Sequence, residues 1–355
     1  MIIHSKFKDY KVHLESDFSF LQTLEKATNA EFVIDEQVYG LYKKHLTEIP
    51  AERLFLVEAA EEHKTIDTVL SICEKMTEIP AKRNAQLVSI GGGIIQDITG
   101  FVANVLYRGI PWTFVPTTLL ASCDSCIGGK TSLNYKSYKN LLGTFYPPDE
   151  LHICPGFFRT LSERDFESGL GEIIKFNIMA GSEGLANVET NIDRLLARDE
   201  ACLQAFVRRS LAFKRDFIEA DEFDRGERIK LNFAHTFGHA IETVTHYEIP
   251  HGTAVAIGMI MANRVAEQRG LLSAATAHRS EAVLLKVIHI NIDLCSYPLE
   301  QFIDAMRKDK KQISDQLTAV LMTDTAKDLK IVHDLQVTEV EDARCYFKQL
   351  YRDCA

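Results

Sequence analysis

Gln86-Leu-Val-Ser-Ile-Gly-Gly-Gly-Ile-Ile-Gln-Asp-Ile-Thr-Gly-Phe-Val-Ala-Asn-Val105 decides how the first part of the chain folds. Gln86 to Ile90 is a short apolar run that reads as a strand, and Ile94 to Val105 reads as a helix. Between them stand Gly91, Gly92 and Gly93. Three glycines remove every Cβ, so backbone N–H groups there can approach an anion closely. The helix that follows aims its N-terminus at that anion. The spacing is not the G-x-G-x-x-G fingerprint, and the bland reading is a tight strand-to-helix turn.

Working outward, the preceding residues alternate. Lys11 to Leu14, Ala30 to Asp35 and Leu54 to Glu58 read as strands. Phe18 to Ala27, Val38 to Leu46 and Thr65 to Met76 read as helices. Such alternation predicts a parallel sheet with helices on both faces, and ligands at the carboxyl ends of its strands. Asp35, closing one strand, is placed to accept from a ribose hydroxyl. After Val105, Arg108 to Val115 leads through Pro116 to Thr117 and Thr118, then Asp124, then Gly128-Gly129-Lys130-Thr131. G-G-K-T looks like the tail of a phosphate loop, but the G-x4-G-K-[ST] spacing is absent, which excludes a P-loop triphosphatase. Lys139-Asn140, Gly143 and Pro147-Pro148 follow, and residues 128–155 read as a loop linking two domains.

From Pro155 the pattern is helical. Leu161 to Met179 carries Glu172 and Lys175 three apart on one face. The bland reading of that pair is a surface salt bridge; the apolar neighbours favour a buried site. Ile192 to Ala220 reads as a helix carrying Lys214, and Arg228 leads into Asn232-Phe-Ala-His-Thr-Phe-Gly-His239. On a helix His235 and His239 share a face, and His251 opens a Gly-containing turn before the apolar run Ala254 to Ala262. Neutral imidazole is a common ligand for a divalent metal, and an acidic residue from elsewhere would complete a three-residue site. The spacing leaves open which two histidines bind. Ser280 to Ile288 and Leu299 to Met306 read as helices, and Leu317 to Met322 and Leu329 to Val332 as short strands. Lys308-Asp-Lys-Lys311 reads as a solvated basic face.

At 355 residues, two domains are expected: 1–154 and 155–355. The net charge of -10 argues against nucleic acid as a partner. No apolar run reaches the roughly 18 residues of a membrane span. Met1-Ile-Ile-His-Ser-Lys lacks a signal pattern, so the eight scattered cysteines read as reduced thiols of a cytoplasmic protein. A structural zinc on Cys123 and Cys126 is disfavoured, because no second pair accompanies them.

GGGIIQDITGFVANVLYRGIPWTFVPTTLL, DSCIGGKTSLNYKSYKNLLGTFYPP, GEIIKF, NFAHTFGHAIE and HGTAVAIGM together resemble the 3-dehydroquinate synthases, within the sugar phosphate cyclases. The likeness spans about residues 91 to 262 and is weaker at both ends. It implies an α/β N-terminal Rossmann-like parallel-sheet domain for NAD and a mainly α-helical C-terminal domain for metal and substrate, with the active site in the cleft between them. The fold is shared with glycerol-dehydrogenase-like and iron-dependent alcohol dehydrogenases. The implied reaction takes 3-deoxy-D-arabino-heptulosonate 7-phosphate through oxidation, phosphate elimination, reduction, ring opening and aldol closure, with NAD regenerated in each turnover.

The resemblance places metal on Glu172, His235 and His251, with zinc expected and cobalt as a substitute. His239 then lies by the phosphate. Asp124 and Lys175 resemble residues that organise the reacting hydroxyl. Lys130, Lys139, Asn140, His239 and Lys310 resemble the shell around the substrate's anionic groups, with Arg108 supplied by the neighbouring subunit of a homodimer. Lys214, Arg228 and Asn232 match substrate positions, and Arg228 suits a carboxylate through its two-pronged guanidinium. On the cofactor side the matches are Asp35, Glu61, Lys64, Gly91, Gly92, Gly93, Asp97, Thr117, Thr118, Lys130, Lys139, Thr160 and Leu161. Gln96 and Ala234 stand where glycines are expected, and Cys123 and Cys126 flank Asp124. The rival readings are a cyclase for sedoheptulose 7-phosphate, glucose 6-phosphate or an amino analogue, and a metal-dependent polyol dehydrogenase. The first two rival substrates lack the carboxylate that Arg228 and Lys214 would meet.

Overall fold

The computed structural model describes residues 1–78, 84–136, 138–308 and 316–354. They form two compact units: residues 1–161 with 203–211, and residues 162–202 with 212–355.

The first unit carries strands β1 (Ile2–Ile3), β2 (Tyr10–Leu14), β3 (Ala30–Asp35), β4 (Leu54–Val57), β5 (Gln86–Gly91) and β6 (Trp112–Pro116). Helices α1 (Ser19–Glu25), α2 (Glu36–Tyr42), α3 (Ile66–Glu78) and α4 (Gly93–Val105) alternate with them. A hairpin follows, β7 (Lys130–Tyr135) and β8 (Tyr138–Phe145), and then β9 (Glu150–Ile153). The main sheet has the order β1-β2-β9-β6-β5-β3-β4 and is parallel except at β1–β2. β5 and β6 are buried almost throughout, which is why they read as continuous apolar runs rather than as alternating patterns. From β3 the chain runs outward to β4, then returns to β5 on the other side of β3. That reversal makes the carboxyl ends of β3 and β5 the topological switch point.

The expected linking loop over 128–155 is corrected. Gly128 and Gly129, both at positive φ, turn the chain into the hairpin, and residues 146–149, with Pro147 and Pro148, connect the hairpin to β9. The hairpin then buries Thr131 and Leu133 in strand alternation, and β9 is an interior strand of the main sheet. Glycine and proline density concealed three strands.

In the second unit the helices are α5 (Glu163–Met179), α6 (Ser182–Leu196), α7 (Glu200–Ala220), α8 (His235–Val244), α9 (His251–Gln268), α10 (Ala274–Leu284), α11 (Leu299–Arg307) and α12 (Val337–Cys354). β10 (Leu317–Leu321) and β11 (Lys330–Leu335) form an antiparallel pair. Residues 203–211 of α7 group with the first unit. The expected single helix over 192–220 is two, because Arg198 takes φ 57° and the Asp199 side chain caps the next helix by accepting from the Cys202 N–H. His251 does not open a turn: it is the first residue of α9, with Pro250 at the cap. α10 starts earlier than read, at a Ser273 cap, and α12 went unread. α9 is buried almost along its whole length, packed by α5, α8, α10 and α12.

Candidate active site

At the switch point of the first unit, Ile34 pairs with Ile90, so Asp35 and Gly91 end adjacent strands. The Asp35 carboxylate accepts from the Gln37 N–H at 2.9 Å, and burial raises its pKa. Gly92 caps α4, and the Thr117 N–H donates to the Gly91 carbonyl at 2.9 Å. A Cβ on Gly92 would lie 3.0 Å from the Thr118 methyl, whereas one on Gly93 would meet only the Ser125 Oγ at 3.7 Å. Gly92 and Gly93 thus put no side chain of their own over the α4 N-terminus, which fits the approach of a phosphate group to its N–H groups.

Glu61, Lys64, Asp97, Lys139 and Asn140 come together beside the hairpin. The Lys64 Nζ lies 2.5 Å from the Asp97 carboxylate and donates to the Asn140 side-chain oxygen at 2.6 Å. Ser132 donates to Asp97 through its N–H at 3.1 Å and its hydroxyl at 3.0 Å. Asn134 donates to Glu61 at 2.8 Å and accepts from the Asn140 N–H at 2.9 Å, while Lys139 lies 3.9 Å from Glu61. Ser132 and Asn134 were not singled out from sequence; their alternation along β7 is the signal that would have found them. Thr160 meets the Tyr42 hydroxyl at 2.8 Å, and Leu161 is half-buried. Lys130 is exposed at the start of β7, and Arg108 is exposed just beyond α4 at φ 66°.

Asp124 sits on the wide helical turn Ala121–Ser125, whose entry Thr118 caps by accepting from the Ala121 N–H at 3.1 Å. Gln96 is buried and clamps that turn: its amide donates to the Ser125 carbonyl at 2.7 Å, and its oxygen accepts from the Ser125 hydroxyl at 2.7 Å.

The second unit brings Glu172 of α5, His235 of α8 and His251 of α9 to one point. The Glu172 Oε1 lies 3.7 Å from the His235 Nε2 and 3.5 Å from the His251 Nε2. The Lys175 Nζ lies 2.5 Å from the other Glu172 oxygen, and both side chains are fully buried, so the pair is no surface salt bridge. The His235 Nδ1–H donates to the Phe233 carbonyl at 3.0 Å, which leaves a lone pair on Nε2. The His251 Nδ1 meets the Glu242 carboxylate at 3.2 Å. Burial acts to lower the His251 pKa, but Glu242 and Glu172 outweigh it and push it up to about 10. The ring therefore holds a proton that a cation would replace. His239, Glu242 and His251 form a second, overlapping cluster, and the His239 ring centre lies 5.4 Å from that of His235. Three donor atoms in an N,N,O set, each histidine fixed through its other nitrogen, suit a divalent transition metal with positions left for substrate. Glu242 was not singled out, although it follows His239 by one helical turn.

Arg228 and Lys214 are buried; an Arg228 guanidinium nitrogen donates to the Glu222 carbonyl at 2.5 Å. Asn232 ends the short helical turn Glu227–Asn232 that precedes α8. Lys310 lies outside the described residues.

Family models for the 3-dehydroquinate synthase N-terminal and C-terminal regions match residues 54–168 and 169–312. The chain belongs to the 3-dehydroquinate synthase family. The 3-dehydroquinate synthase of Clostridium tetani is 36% identical over 92% of this chain and 84% of its own. That of Campylobacter concisus is 34% identical over 98% of both chains. Among solved structures, 2-epi-5-epi-valiolone synthase from Streptomyces hygroscopicus subsp. jinggangensis, with NAD+ and Zn2+ bound, superposes with a TM-score of 0.85 at 27% identity over 98% of both chains. A glycerol dehydrogenase from Schizosaccharomyces pombe shares the fold, with a TM-score of 0.67 at 13% identity over 97% of this chain and 90% of its own.

Ala234 takes φ 69°, the left-handed region that glycine enters without cost, immediately before His235.

Proposed function

We propose that this member of the family is a 3-dehydroquinate synthase, a phosphate-eliminating carbon–oxygen lyase that converts 3-deoxy-D-arabino-heptulosonate 7-phosphate to 3-dehydroquinate and phosphate. The observation that carries the reading is the convergence of Glu172 Oε1, His235 Nε2 and His251 Nε2 beside the buried Lys175.

Glu172, His235 and His251 would hold one divalent ion, zinc or cobalt. Gly91, Gly92 and Gly93 with Asp35, Thr117, Thr118, Thr160 and Leu161 would hold NAD, supported by Glu61, Lys64, Asp97, Lys130 and Lys139. When bound, the metal would lower the pKa of the reacting hydroxyl and NAD would take up and return a hydride. Residues 1–154 then carry the cofactor and 155–355 the metal. Lys175 and Asp124 orient the hydroxyl and its proton. Lys130, Asn140, His239 and Lys310 would bind the phosphate, and Arg228, Lys214 and Asn232 the carboxylate. The assembly is a homodimer in the cytoplasm, with the partner's copy of Arg108 reaching the active site. Among the described residues no helix is long and apolar enough to cross a membrane.

Product analysis tests the reading: protein, the heptulosonate phosphate, NAD and zinc should yield 3-dehydroquinate and phosphate over many turnovers per NAD. Steady, stoichiometric NADH would support a polyol dehydrogenase instead.

A further inference from the structure

Cys295 and Cys345 are separated by 50 residues in sequence, yet their sulfurs lie 3.6 Å apart. Cys295 sits on the single turn Leu294–Ser296 and Cys345 on the exposed side of α12. Three further tethers hold the turn against the helix. The Asp293 carboxylate accepts from the Cys295 N–H at 3.0 Å and pairs with the Lys348 Nζ at 2.7 Å. Buried Arg344 donates to the carbonyls of Leu294, at 2.5 Å, and Tyr297, at 2.6 Å. None of these residues belongs to the proposed active site.

We propose that Cys295 and Cys345 are a thiol modification site that closes to an intramolecular disulfide in the presence of a small-molecule disulfide oxidant. A disulfide needs its sulfurs about 2.05 Å apart, so closure asks for a shift of roughly 1.5 Å between groups already in contact. The tethers hold both ends, so little chain entropy remains to be lost when the bond forms. Cys345 is the exposed thiol and attacks first: its thiolate displaces one thiolate from the oxidant and forms a mixed disulfide. The Cys295 thiolate then attacks the Cys345 sulfur and displaces the second. The chain loses two protons and two electrons, and the oxidant is reduced to two thiols. Burial raises the Cys295 thiol, the more so beside Cys345, while Arg344 and Lys348 act to lower it. That suits Cys295 to the second, resolving step. The bond would close the loop between residues 295 and 345, which contains α11 and the β10–β11 pair, and fix the turn to α12.

The folded protein is incubated with glutathione disulfide and its intact mass measured without reductant. A loss of two mass units is expected, with the 295 and 345 peptides cross-linked. The melting temperature should rise by several degrees, reversibly on reduction. Cys345→Ser, at an exposed position that should leave the fold intact, should lose both effects. Cys295→Ser should stop at the mixed disulfide on Cys345. An unchanged mass, a persistent glutathione adduct on the wild type, or a cross-link joining another cysteine pair or two chains would overturn the proposal.

Discussion

Gly171 and Gly252 let the backbones of α5 and α9 touch: a Cβ on Gly171 would collide with the Gly252 carbonyl, and one on Gly252 with the Ser168 carbonyl. Ser168 seals the crossing by accepting from the Gly252 N–H at 2.9 Å. Each glycine neighbours a proposed metal ligand, Glu172 or His251. The close approach of the two helices is therefore what brings those side chains together. Gly252→Ala should cost about 2 kcal/mol or more, since neither colliding atom can rotate away. Melting temperature and zinc content should fall together. An alanine variant with ordinary stability and a full zinc complement would show that the crossing does not set the site.

The Glu172–Lys175 pair yields a separate expectation. With both groups fully buried, removing the ammonium takes away a cation that lies 2.5 Å from the carboxylate. Lys175→Met should destabilise the metal-free protein by about 3 kcal/mol. Saturating zinc should recover much of that loss, because binding to the folded state alone adds stability. Thermal melts with chelator and with zinc give the comparison. Equal losses in both would mean that zinc does not reach Glu172.

On the proposed ligand set, Glu242 would act on the metal through His251, whose Nδ1 it meets at 3.2 Å. Glu242→Gln should keep the fold and weaken zinc by about 10- to 100-fold, as loss of such outer partners does. His251→Ala should abolish stoichiometric zinc and activity together. Competition with a chromophoric chelator separates the two. If Glu242→Gln lost zinc as completely as His251→Ala, Glu242 would be a ligand, and the overlapping cluster with His239 would be the metal site.

The parallel sheet was legible because β3, β5 and β6 are buried on both faces and show as apolar runs. The hairpin and β9 were not, because glycine and proline signal a turn locally while the strands between them are fixed by tertiary pairing. Glu172, His235 and His251 lie on three helices, and periodicity carries no information about how helices cross. Spacing therefore left His239 and His251 unresolved, and the family resemblance selected between them. The break at Arg198 was hidden because neither flanking pattern changes there.

Gly93→Ala tests the glycine turn more cleanly than a bulkier change at Gly92, where Thr118 already stands close. A Cβ at Gly93 meets only ordinary contact, and the position is helical, so the fold should be kept or slightly strengthened. The methyl would nonetheless occupy the space a pyrophosphate needs. NAD affinity should drop tenfold or more, with the melting temperature of the NAD-free protein unchanged or higher. Unaltered NAD binding would move the cofactor away from the glycine turn.

On the proposed reading, substrate choice would rest on Arg228. The Glu222 carbonyl accepts from one of its nitrogens, which helps to fix a guanidinium that carries five N–H donors in all. A charge-assisted hydrogen bond is worth roughly 1.5–3 kcal/mol, and stranding its partner costs more. Arg228→Ala should therefore lower kcat/KM on the heptulosonate phosphate by about tenfold to several hundredfold. Arg228→Lys should stay impaired, because an ammonium cannot make the two-pronged contact. Sedoheptulose 7-phosphate, which lacks the carboxylate, should be turned over poorly by the wild type and lose little more in either variant. Equal losses on both substrates would assign Arg228 to the fold or the phosphate. Faster wild-type turnover of the sedoheptulose compound would sink the dehydroquinate assignment itself.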